Sequence, residues 1–499
     1  TWLTAVGANL SALWILVANS WMQYPVGCTF NIDTVRNEMT SFWDVLLSPV
    51  AVNKFTHTVT SSFVLAALFV CAVCAWYLLR GREQKMARKS IAVASVFGLV
   101  FALITAFTGD RSGAIVARVQ PMKLAALEAL YDGEEGAALT AVGILRPEAE
   151  RSNNEDAFYF KIAIPKMLSL MSFRDADAFV PGINDLVNGN PQYGIMPTIE
   201  KIERGRVAIA ELERFKQARE TGDEATLDEI RAKFDPDTPE GAVFLKEYFA
   251  YFGYGYLDSP AQTVPNVPLL FYSFRLMVGA GCLFILVLAA AWWFNRRDTL
   301  ERKRWMLWVL LLCMPLAYLA SQAGWIVAEV GRQPWAIQDL MPVGVAASRI
   351  ASGSVATTFF IFLVLFAALL VAEISILCKS RSDLKKSKNY GYFGIAATLL
   401  VVPDLPAGSF AGLPALRAGR PKPALHHRTY GTRTQPDRQF AGPQMGTHVH
   451  YAGNFRRRVF RLVPAFLLDQ FRRGVLRLDA DSAGLRPTSR FVRIPAKTQ

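Results

Sequence analysis

Histidine is almost missing from the body of this 499-residue chain. Of five histidines, four (His426, His427, His448 and His450) sit in the tail, and His57 stands alone before them. A zinc site built from clustered histidines is therefore excluded from the body, and no H-E-x-x-H occurs. Neither G-x-x-x-x-G-K-[ST] nor G-x-S-x-G is present, so P-loop nucleotide hydrolysis and serine-hydrolase chemistry have no support. Cysteine is sparse too. Of six, Cys71, Cys74, Cys282, Cys313 and Cys378 lie in or at the ends of apolar runs and Cys28 is alone, which gives no disulfide framework. Cys71 and Cys74 form a C-x-x-C, but with no second pair in a lipid-embedded run it reads as packing.

Charge is scarce and unevenly placed. Residues 412–499 hold fifteen Arg and two Lys against four Asp and no Glu, so the whole net charge of +13 lies there and the body is balanced. A basic nucleic-acid face on the body is excluded on that count. What is abundant is apolar surface: 52% of residues are hydrophobic and the mean hydropathy is +0.23. The apolar residues are bunched into six runs of membrane-spanning length, at about 2–22, 56–79, 91–108, 268–294, 305–325 and 357–378. The expected class is an all-α integral membrane protein.

The short loops "RGREQKMARK" (80–89), "RRDTLERKR" (296–304) and "KSRSDLKKSK" (379–388) are basic and all fall on one side, which the positive-inside rule makes cytoplasmic. Segments 23–55, 109–267 and 326–356 then lie outside. The chain divides into three spans (1–108), a long external polar segment (109–267), three more spans (268–388) and a basic tail (389–499). Within the external segment, "IEKIERGRVAIAELERFKQARE" and "ATLDEIRAKF" read as exposed helices with interleaved charges. The tail reads as a disordered basic extension or, preferably, as translation out of frame. The chain starts within a span, without a signal peptide or initiator Met.

Ionisable residues inside such helices are costly and mark function. His57, in "NKFTHTVTSSF", reads either as a buried histidine bonded to a backbone carbonyl or as an iron ligand. Arg275 and Met277, in "YSFRLMVGAG", lie in the outer half of the fourth run; Arg275 needs an anion, and Met277 is core filler or a second ligand. Trp325, Glu329 and Arg332, in "GWIVAEVGRQPW", share one helical face, either as an interfacial belt with an ion pair or as a working carboxylate. Lys123 and Glu128 flank the apolar "LAAL" at the start of the external segment, as a solvated pair or as a site for a polar headgroup that gives up protons.

Taken in order, "NLSALWILVANSWMQYPVG", "KFTHTV", "KLAALE", "FRLMV" and "GWIVAEVGRQPWAI" resemble subunit I of cytochrome bd-type quinol oxidase, over residues 1 to about 388. The resemblance implies oxidation of ubiquinol or menaquinol at the outer face of a bacterial inner membrane, with dioxygen reduced to water. It implies a low-spin haem b held by His57 and Met277 with Arg275 beside it, a high-spin haem b with Glu329 as ligand and Trp325 and Arg332 around it, and a haem d. Lys123 and Glu128 would bind and oxidise quinol, and Ser11 and Asn19 would mark a proton route. A methionine axial ligand raises a haem's potential, which suits electron acceptance from quinol. Subunit II, a small accessory subunit and membrane lipid are the implied partners. Family members have nine spans, so the chain is expected to begin at the fourth and to lack a histidine ligand and glutamates of the oxygen-reducing haems. The tail has no counterpart and reads as the neighbouring gene out of frame. The rival readings are a secondary transporter working through Arg275, Glu329 and Glu373, or a nonfunctional product of a rearranged gene.

Overall fold

The computed structural model describes residues 2–347 and 350–386, the side chains of 2, 4, 149 and 377–386 excepted. The reading of 389–499 and the four tail histidines lie outside the described residues. Six helices are long and apolar enough to cross a membrane. They are α1 (Trp2–Gln23), α2 (Pro49–Leu79), α3 (Gln84–Val119), α6 (Val267–Arg296), α7 (Arg304–Val330) and α8 (Ser352–Lys386). Between α3 and α6 lie the short α4 (Pro121–Glu128) and the long α5 (Thr198–Thr221), among smaller helices and two-stranded sheets. The architecture described is that of the compact unit Ala8–Ala415.

Two of the spanning helices, α2 and α6, start at a side-chain cap. Ser48 accepts from Ala51 N–H with Pro49 behind it, and Asn266 accepts from Leu269 N–H with Pro268 in the first turn. The helices outrun the apolar stretches that announce them. α2 begins seven residues before residue 56, and α3 runs from 84 to 119 rather than from 91 to 108. Hydropathy reports only the length immersed in hydrocarbon, while the backbone ladder continues until a cap or breaker stops it. The extra outer turns carry Lys54, Gly109 and Asp110.

Four helices make the bundle. α2 packs on α3 and α7, and α6 packs on the same two, so α2 and α6 stand diagonally opposed. Their shared core includes Leu68, Ile91, Leu288 and Leu310, all fully buried, together with Cys71, Cys74 and Cys313 as free thiols. α8, in contrast, leaves nearly every described side chain exposed.

The stretches read as exposed helices are helical, at Thr198–Thr221 and Glu224–Lys233, and each also buries an apolar stripe. Leu212 and Phe215 of α5 pack with Leu227 and Ile230 of the second helix. The segment also holds an antiparallel ribbon, β1 (Leu139–Leu145) with β2 (Phe158–Ile164), for which the sequence reading had no place.

Close packing in the bundle rests on Gly98 of α3. A Cβ there would lie 2.7 Å from Ala67 Cβ and 3.0 Å from Leu288 Cδ1. Gly98→Val is expected to cost about 1–3 kcal/mol by overpacking. Gly113→Ala, on the same helix with nothing within 4 Å of the new Cβ, should be neutral or slightly stabilising. Thermal unfolding in detergent would compare the two.

Candidate functional site

The packed core of the bundle reaches outward only as far as Val64, Ala102, Ala280 and Ala320. A second apolar cluster begins further out, at Phe271 and Val327. Between them, on the diagonal helices α2 and α6, stand His57 and Met277, both half-buried, in a stretch whose buried residues include Thr60, Thr108 and Ala323. Each has a glycine beside it on a neighbouring helix. A Cβ at Gly109 of α3 would stand 3.4 Å from His57 Cε1, and one at Gly324 of α7 would stand 3.0 Å from Met277 Sδ. His57 Nδ1 lies 2.9 Å from Thr108 Oγ1, which fixes the ring plane and leaves Nε2 as the nitrogen to meet a metal. An imidazole and a thioether carried by two helices of one bundle are a donor set that could hold the iron of a low-spin haem.

Glu329, in the last turn of α7, sits in a polar knot. It pairs with Arg332 at 2.8 Å through Oε2 and accepts from Asn19 Nδ2 at 2.7 Å through Oε1. Asn19 Oδ1 in turn accepts from Lys54 Nζ at 2.5 Å and from Gln23 Nε2 at 3.2 Å. Lys123 Nζ reaches Ala328 O at 3.4 Å. Three cations thus bear on one carboxylate, and Arg332 Nε is buried without a hydrogen-bond partner. That surplus of buried donors suits an anionic group such as the carboxylates of a haem. Lys54 was not singled out from the sequence. Its signal was there: it lies three residues before His57, on the same helical face.

α4 carries the other pair. Pro121 opens it, and Ala129 ends it in the left-handed conformation (φ +50°). Lys123 and Glu128 are both buried and do not pair with each other. Glu128 is held instead by Arg275 of α6, with Nη2 to Oε2 at 2.5 Å, Nη1 to Oε1 at 3.2 Å and Nη1 to Leu127 O at 2.8 Å. The anion that Arg275 meets is therefore this carboxylate. The guanidinium also lies 4.3 Å from the Phe271 ring centroid. Burial raises the Glu128 carboxyl above its ordinary value, opposed by Arg275. Burial lowers Lys123 to about 8, with Glu329 opposing and Arg332 adding to the fall.

Of the remaining expected residues, Asn19 joins the Glu329 knot and Trp325 is half-buried one turn before Glu329. Ser11 is exposed on α1, about 12 Å along the helix from Asn19, and is not drawn into the knot.

Residues 1–383 match the family model described as cytochrome bd terminal oxidase subunit I. The chain is 38% identical over 383 residues to subunit 1 of the cytochrome bd-II ubiquinol oxidase of Escherichia coli (strain K12), covering 76% of this chain and 71% of that one. It is 29% identical over 367 residues to the cytochrome bd ubiquinol oxidase subunit 1 of Bacillus subtilis (strain 168), covering 73% of this chain and 63% of that relative's length. Among solved structures, the bd oxidase from Geobacillus thermodenitrificans aligns with a TM-score of 0.53 at 23% identity, covering 75% of this chain and 67% of that one. At that identity the likeness speaks to the fold alone.

Removing Arg275 would strand a buried carboxylate. Arg275→Leu is expected to destabilise the chain by about 3–5 kcal/mol at neutral pH, and adding Glu128→Leu should restore much of it. Below about pH 4 Glu128 is protonated in both folded and unfolded chains, so the single variant's penalty should shrink there and grow as pH rises. Unfolding curves of both variants at two pH values would check it.

Proposed function

The chain belongs to the cytochrome bd terminal oxidase subunit I family, and we propose that it takes electrons from a membrane quinol on its outer side, for a terminal oxidase that reduces dioxygen to water. The observation that carries this reading is a shared helix. Arg275, which holds Glu128, and Met277, whose sulfur lies beside Gly324, are two residues apart on α6, a rise of about 3 Å. Groups suited to receive protons from a quinol and groups suited to ligate iron are thus braced by one rigid element. The family match removes the transporter reading.

In this proposal His57 and Met277 hold a low-spin haem b with Arg275 alongside. Glu329 serves a high-spin haem b, with Trp325, Arg332 and Lys54 around it, and haem d completes the set. When bound, these groups supply the one-electron and dioxygen chemistry that side chains lack. Lys123, charged below about pH 8, donates to a quinol oxygen, and Glu128 as carboxylate accepts a quinol proton. Arg275 opposes the rise that burial imposes on the Glu128 carboxyl. Phe271, Leu127 and Val327 close the site against water. Ser11 and Asn19 line an inward proton route on α1, with Asn19 bonded directly to Glu329. Protons released outside and consumed from the inside charge the membrane.

The setting is a bacterial inner membrane, with subunit II and a small accessory subunit as partners. The substrate is ubiquinol or menaquinol, the quinols named for relatives of this chain.

His57→Ala should remove the low-spin haem band from the reduced-minus-oxidised spectrum of membranes; an unaltered spectrum would take His57 off the iron. Glu128→Gln, which keeps the side chain's shape, should slow quinol oxidation by roughly 10²-fold or more with haem content intact. The rate of the unaltered protein should rise with pH as Glu128 ionises, then fall near pH 8 as Lys123 loses its proton. Lys123→Arg should move only the falling limb, to higher pH. A falling limb left in place would remove Lys123 from the quinol contact.

A further inference from the structure

The β1–β2 ribbon breaks the rule for a water-facing ribbon. A two-stranded antiparallel ribbon with one face on the protein normally turns polar residues to the other. Here the inward positions include Leu145 and Phe158, which pack with Phe271 of α6 in one buried cluster. Register pairs Val142 with Ile162 and Ile144 with Phe160. All four side chains are about half exposed, as is Ile164 at the ribbon's end. The result is a contiguous apolar face with no polar side chain among its paired residues, a feature that marks a contact surface.

Its position identifies the contact. Leu145 N–H donates to the Tyr272 hydroxyl at 3.0 Å, which fixes the ribbon against the second turn of α6. Gly143 lets it lie close, since a Cβ there would sit 2.9 Å from Phe158 Cε1 and 3.3 Å from Phe271 Cζ. Leu269, Tyr272 and Leu276, spaced three and four apart, are the exposed face of that same stretch of the spanning helix. The ribbon's apolar face therefore continues the helix surface that meets lipid. Two cations flank it: Arg146, whose guanidinium lies 5.3 Å from the Tyr159 ring centroid, and Lys161, whose ammonium lies 5.6 Å from that of Phe158. Long cationic side chains beside aromatic and apolar surface are the pattern of residues that reach for lipid phosphates.

We propose that the β1–β2 ribbon is a membrane-interface element, its Val142, Ile144, Phe160 and Ile162 face resting in the outer leaflet at the headgroup–acyl boundary. The depth is limited by the backbone. A two-stranded ribbon has open edges whose N–H and C=O groups need water or headgroups, so it cannot sink into the hydrocarbon core. The proposal does not rest on quinol chemistry or on any haem.

The test is site-directed spin labelling of the full chain in lipid nanodiscs, with the native cysteines replaced by alanine. Ile144→Cys and Ile162→Cys carry the label in separate proteins, so a folding failure in one leaves the other. Ser152→Cys, in the loop joining the strands, is the aqueous control, and Leu286→Cys on α6 the lipid control. Both ribbon labels should relax with oxygen and lose accessibility to a water-soluble nickel chelate, as at Leu286 and unlike Ser152. Nickel access equal to that at Ser152 would overturn the proposal in favour of water. Protection from both reagents would overturn it in favour of a protein covering.

Discussion

A buried carboxylate held by a buried guanidinium is the constraint around which the outer end of this molecule is arranged. Glu128 and Arg275 come from elements separated by well over a hundred residues, and neither is tolerable there without the other. Their pairing docks α4 on α6. The docking carries Lys123 to the end of α7, where it meets Ala328 O and the field of Glu329. The same docking closes the apolar cluster of Leu127, Phe271 and Val327 over the bundle. The pair adds to the apolar packing of Leu124, Ala125, Ala126 and Leu127, which seats the same short helix.

Below that end the bundle is ordinary, and the contrast is informative. The inner half is filled by Leu, Ile, Ala and Cys in one continuous core. Around His57 and Met277 the lining changes: Gly109 and Gly324 lie beside them on the neighbouring helices, and the buried residues include Thr60 and Thr108.

Much of this was legible in the residues. Six apolar runs gave six helices, since hydrocarbon length and the backbone's need for internal hydrogen bonds leave few alternatives. Arg275 and Glu329 stood out because charge in an apolar helix needs a reason. The identity of the partner was not legible. Arg275 was read as needing an anion, and that the anion is Glu128 could not be seen, because pairing across such a separation depends on the fold of α4. Lys54 was overlooked since it lies before the apolar run, in helical turns that hydropathy does not see. The β1–β2 ribbon was missed because "LTAVGIL" and "FYFKIAI" show no clean alternation, both of its faces being apolar.

The small residue beside Met277 has its own bearing on the chemistry. At Gly324 even a methyl group would require the sulfur to give way by a few tenths of an ångström, while the helix backbones stayed where they are. In the proposed site, where Met277 would hold iron, a position that touches no metal would thereby set where its sulfur sits. Respiratory tuning in such a scaffold is then open to substitutions on the adjoining helix, without any replacement of the donor atom itself.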